Sequence, residues 1–141
     1  MSIQFVLLPL FVEVSLTLVL MYLMGWRRSL AFRNHEVRLT DIALREPNWP
    51  PRALQAAYAF SNQFELPVLF YVLTILSIMT RHADLLFVLL AWVFVVLRIL
   101  QAWIYVTSNN IRYRGMYYFA GAIVLTIMWV VFMVRIVLGL P

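Results

Sequence analysis

The chain has 141 residues, 65% of them hydrophobic and only 12% charged, with a mean hydropathy of +0.90. That balance excludes a soluble domain, and 16.6 kDa leaves room for about four membrane-crossing helices of roughly 20 residues each. The net charge of +5 rests on arginine alone on the basic side, and the absence of cysteine excludes disulfides, thiolate metal sites and a cysteine nucleophile.

Span 1 is expected from about Ile3 to Met24, a retained helix rather than a cleaved signal, because no basic segment precedes it. It carries Pro9 near its start and Glu13 at depth, where a carboxylate needs a partner or a wet face. Trp26, Arg27 and Arg28 mark the interface. The connection from 25 to 51 is the one sizeable polar segment. Within it TDIALRE can form one or two helical turns, capped by Thr40 or Asp41 and stopped by Pro47.

Pro50 and Pro51 introduce span 2, from about Arg52 to Met79. Tyr58, Asn62 and Glu65 recur at i, i+4 and i+7, which places a phenol, an amide and a carboxylate on one helical stripe. Pro67 deprives the Gln63 carbonyl of its donor, so a kink or local unwinding is expected beside Glu65. The short TRHAD link makes spans 2 and 3 an antiparallel hairpin.

Span 3, about Leu85 to Val106, carries a second polar stripe of Arg98, Gln101 and Tyr105. Arg98 lies about 12 Å from the helix end at 1.5 Å per residue, and a Glu65 to Arg98 pair, direct or through a ligand, is expected. After the turn TSNNIRYRG, span 4 is expected from about Met116 to Leu138, with Gly121 and Ala122 allowing close helix approach and Arg135 snorkelling to the headgroups. The sum is an all-α integral membrane protein, one domain over residues 1–141 built as a four-transmembrane-helix bundle.

Arg27, Arg28, Arg33, Arg38, Arg45, Arg52, Arg112 and Arg114 fall on one side, against Arg81 and Arg135 on the other. By the positive-inside rule the first and third connections are cytoplasmic, both termini lie on the opposite side, and the cell inner membrane is the expected location. His35 and His82 are then on opposite sides, which argues against a metal pair or a serine–histidine–acid triad.

An apolar bundle with an arginine-rich entrance suits an anionic water-soluble molecule meeting a lipophilic one from the bilayer. Arg114 and Arg112 can hold a carboxylate, Glu65 an amino group, and Tyr105 or Tyr118 can donate to a thiolate or oxyanion. No phosphate loop, metal motif or nucleotide fingerprint competes, and no nucleic-acid partner is expected. Alternatively, the buried polar groups only join helices, or build a proton or ion pathway on Glu13, Glu65 and Arg98.

The four spans, the long first connection, the N-x-x-E-x-P pattern of Asn62, Glu65 and Pro67 and the R-x6-Y-x8-R pattern of Arg98, Tyr105 and Arg114 resemble one family. It is the membrane-associated proteins in eicosanoid and glutathione metabolism, the MAPEG family, and the resemblance covers about Ala53 to Leu138. It implies a homotrimer with glutathione as cosubstrate in a cleft between subunits, open to the cytoplasm. It further implies contacts from Asn62, Glu65, Tyr105, Arg114 and Tyr118, with Arg114 nearest the thiol, Tyr105 beside it and Arg98 supporting the buried network. The implied activity is a glutathione-dependent transferase or peroxidase on lipophilic electrophiles. The alternative is a non-catalytic protein of the same fold that binds membrane lipid or a partner in that cleft. Ser61 and Asn110 stand where glutathione-using members commonly carry basic residues, and Gly115 stands where the prostaglandin synthase branch has serine.

Overall fold

Helix α1 (Ile3–Arg33) is longer than its apolar segment alone predicts. At 31 residues it measures about 46 Å, against a hydrocarbon core of about 30 Å, so its last turns project beyond the bilayer. The expected span to Met24 covers only the membrane-crossing part, and the helix itself runs on to Arg33. One glycine costs a helix only about 1 kcal/mol, and Gly25 is followed by residues that tolerate helix up to Arg33. Termination comes from a Schellman arrangement with His35 in the left-handed region at φ 55°. There the Glu36 N–H donates to the Ala31 carbonyl at 2.9 Å and the His35 N–H to Phe32 at 3.2 Å.

The computed structural model describes residues 2–141. After α1 come a single 3-10 turn (Leu39–Asp41), α2 (Pro51–Asn62), α3 (Leu66–Met79), α4 (Leu85–Val106) and α5 (Ile111–Val137). The turn is capped at Arg38, two residues before the earlier of the expected caps, because the Asp41 carboxylate reaches back to accept from the Arg38 N–H at 3.2 Å. With α2 and α3 taken together, four helical segments are long and apolar enough to cross a membrane, which makes this a multi-pass integral membrane protein in contact with lipid.

Span 2 is broken as Pro67 requires. Helix α2 ends at Asn62, the N–H groups of Gln63, Phe64 and Glu65 turn to carbonyls three residues back, and α3 resumes at Leu66. Helix α5 starts at Ile111 rather than Met116. The Asn110 side chain caps it, accepting from the N–H groups of Arg112 and Tyr113 at 3.0 and 3.3 Å. Arg112 and Arg114 thus belong to a helical first turn, not to a loop.

Helix α4 is the centre of the bundle and packs against α5, α1 and α2, while α3 packs against α1 and α5. A large apolar core gathers Val6, Phe70, Leu73, Phe87, Val88, Ala91, Phe94, Val95, Leu125 and Met128 toward one end. A smaller one of Leu20, Ala59 and Ala102 lies toward the arginine-rich end. Between them four polar side chains are buried: Glu13, Gln63, Arg98 and Gln101. Gly121 lies against Phe94 and Arg98, so the small residue expected to permit close helix approach does so at α4.

The far end is closed by polar contacts. Arg135 does not simply snorkel: its guanidinium pairs with Asp84 at 2.8 Å. Asp84 also caps α4 by accepting from the Phe87 N–H at 3.0 Å. The ring of His82 bonds the Leu140 carbonyl at 2.9 Å, which ties the C-terminal residues to the α3–α4 link.

Candidate functional site

The α4–α5 turn builds the first part of the site. Asn109 takes a left-handed backbone at φ 51°, which asparagine tolerates better than most residues, and its side-chain oxygen accepts from Arg114. Arg114 in turn lies over the ring of Tyr105, 4.3 Å from its centroid. A guanidinium stacked on an aromatic face and held by an amide is preorganised to receive an anion. Across from it α2 presents Pro51, Leu54, Gln55 and Tyr58, and the two sides enclose an open cleft of about 280 Å³. That volume approaches the lower end of small-molecule sites.

One turn further along α5, the Tyr118 hydroxyl faces the Glu65 carboxylate at 3.5 Å, the long edge of hydrogen bonding. The Arg98 guanidinium lies 5.5 Å from the centroid of the Tyr118 ring. Arg98 does not pair directly with Glu65 as expected. Its Nη2 donates instead to the Asn62 carbonyl at 3.0 Å, a backbone acceptor made available where α2 ends. Asn62 therefore serves Arg98 through its main chain, and Glu65 is left exposed on the outer surface of the chain.

The structure thus gathers Tyr105 and Arg114 in the upper cleft and Asn62, Glu65, Arg98 and Tyr118 below it. Tyr58, first residue of the expected stripe, lines the cleft as well. Arg112 stands apart: it is exposed on the first turn of α5 and outside the cleft lining.

Three residues matter more than their sequence context signals. Arg27 reads as a topology determinant, yet it donates to the Arg52 carbonyl at 3.0 Å and the Val106 carbonyl at 2.8 Å, which joins α1 to the start of α2 and the end of α4. Asn109 holds Arg114, and only its place in a tight turn marks it. Glu13 is fully buried, and of the opposite charges acting on Arg98 its own is the largest, ahead of Glu65. The signal for Glu13 was its depth in span 1.

No curated protein and no solved structure matches the chain. A family model does, over residues 6–134, nearly the full length and including span 1, which the sequence motifs alone did not reach. The chain belongs to the MAPEG family.

Proposed function

We propose that this protein is a membrane-bound, glutathione-dependent transferase or peroxidase that acts on lipophilic electrophiles as a homotrimer. The observation that carries the reading is a held cation in the cleft with an outward-facing carboxylate below it. Arg114, fixed by Tyr105 and Asn109, supplies positive charge for a thiolate or carboxylate. Glu65, below it beside Tyr118, supplies negative charge for an amino group. Family membership points to glutathione-related membrane chemistry in the same sense.

The residues fit glutathione, with one demand left over. The tripeptide has two carboxylates and a thiolate, and Arg114 is the one arginine in the cleft lining. The second carboxylate would fall to Arg112 or to an arginine of an adjoining subunit. Glu65 argues for such a subunit. It lies one residue before α3, whose 14 residues span about 21 Å to the far end, so it sits at membrane depth. A carboxylate facing lipid there costs about 2.5 to 3.5 kcal/mol, which an adjoining copy and a bound ammonium group relieve.

In the reaction the thiol would lose its proton to water, and Arg114 would stabilise the thiolate by its charge with Tyr105 beneath it. The thiolate sulfur would then form a C–S bond with the electrophile from the bilayer as the bond to its leaving group breaks, chloride departing from a chlorinated nitroaromatic. The arginine-rich end faces the cytoplasm in this reading, where glutathione would enter. Millimolar glutathione should raise the melting temperature of the detergent-solubilised protein by mass action, and Arg114→Ala should remove that rise. An unmoved melting curve for the wild type would overturn the proposal. Co-purifying lipid in the cleft, without conjugation of a chlorinated nitroaromatic, would favour the non-catalytic lipid-binding reading.

A further inference from the structure

The polar layer between the two apolar cores holds more hydrogen-bonding capacity than the chain satisfies. Glu13 and Arg98 are each 0% exposed, Gln63 1% and Gln101 2%. Among the described residues, neither carboxylate oxygen of Glu13 has a hydrogen-bond partner, nor do Nε and Nη1 of Arg98 or the side-chain oxygens of Gln63 and Gln101. Leaving such groups unpaired costs about 1 to 3 kcal/mol each, more where they are charged. Something must answer them.

A second copy of the chain does not, because groups buried this completely within one chain are beyond its reach. A direct ion pair does not either: Arg135 with Asp84 is the one pair in contact distance among the described residues. Glu13 and Arg98 nonetheless influence each other's charge, so they lie near one another but beyond ion-pair contact. Water is the molecule that fits between them. It donates to carboxylate and amide oxygens, accepts from guanidinium N–H groups, and occupies buried sites that offer two to four polar partners. A metal cation is disfavoured by the guanidinium, and an anion by the carboxylate.

The geometry points to an internal water site, enclosed by α1, the α2–α3 break and α4, in which ordered water bridges Glu13 to Arg98 with Gln63 and Gln101 completing the donors and acceptors. Glu13 is then the buried counter-ion of Arg98, and the bridge joins α1 to the arginine that holds the carbonyl at the helix break. The inference does not depend on whether glutathione occupies the outer cleft.

Water-edited solid-state NMR of the full chain in lipid bilayers, labelled with [13C]glutamate, tests it. The chain has four glutamates, Glu13, Glu36, Glu46 and Glu65, so the side-chain carboxyl region is sparse. The expected result is rapid magnetisation transfer from water to a carboxyl resonance that disappears in Glu13→Gln. If that variant fails to fold, Glu36→Gln, Glu46→Gln and Glu65→Gln assign the other three and leave Glu13 by elimination. A Glu13 resonance that receives no transfer from water would overturn the inference. So would an experimental structure, at a resolution that reveals water, with Glu13 in direct contact with Arg98 and no water between them.

Discussion

Side chains in this protein divide by whether their charge is answered inside the chain. With Glu13 as its buried counter-ion, Arg98 otherwise keeps only the Asn62 carbonyl as a hydrogen-bond acceptor, so removing either charged group strands the other in an apolar interior. Glu13→Leu should therefore lower stability by about 3 to 5 kcal/mol, the usual cost of breaking a buried pair. The double variant Glu13→Leu/Arg98→Met should recover much of that loss, as a double-mutant cycle read by thermal melting would report. A double variant no more stable than the sum of its parts would show that the two groups are not coupled.

Asp84 works in the opposite setting, half in solvent at the far end. Partial burial pushes its carboxyl up, but the Phe87 N–H and the Arg135 guanidinium outweigh that and hold it below the ordinary value of 3.8. A lowered folded-state value means the carboxylate contributes stability above pH 3.8, lost as pH falls through the folded value. Melting temperature measured down an acid series should fall in that window for the wild type. Asp84→Asn, which keeps the capping oxygen, should show a shallower decline.

Among the helices, the break in span 2 was legible because its cause is local: a proline lacks the N–H that its neighbour four residues back requires. The extension of α1 to Arg33 and the early start of α5 were less so, since both turn on end caps, at His35 and Asn110, that hydropathy does not register. Arg27 was the hardest to read. Its two acceptors lie 25 and 79 residues away, and nothing near it in sequence distinguishes it from Arg28. It holds three helices at the arginine-rich end. Arg27→Ala should cost about 2 kcal/mol, the loss of two charge-assisted hydrogen bonds, and Arg27→Lys should lose part of that because an ammonium cannot fork to both carbonyls. Hydrogen exchange should quicken at the C-terminal turns of α4 in the alanine variant and remain unchanged in α3.

The bundle as a whole presents largely apolar faces to lipid, with an exposed carboxylate at membrane depth, Glu65 beside Tyr118. Four spans and the family were present in the residues, as hydropathy and as spacing, whereas the expected Glu65 to Arg98 pair gives way to a bond from Arg98 to the Asn62 carbonyl. The internal polar layer was present only as isolated surprises, Glu13 and Gln101 among them, because which buried groups from distant helices share one layer is a three-dimensional relation. In the proposed function a single chain is an incomplete site. Native mass spectrometry of the detergent-solubilised protein with glutathione tests that most directly. The account predicts a species of three 16.6 kDa chains carrying bound glutathione, with the bound mass lost in Arg114→Ala. A monomer, or a trimer that never carries glutathione, would contradict it.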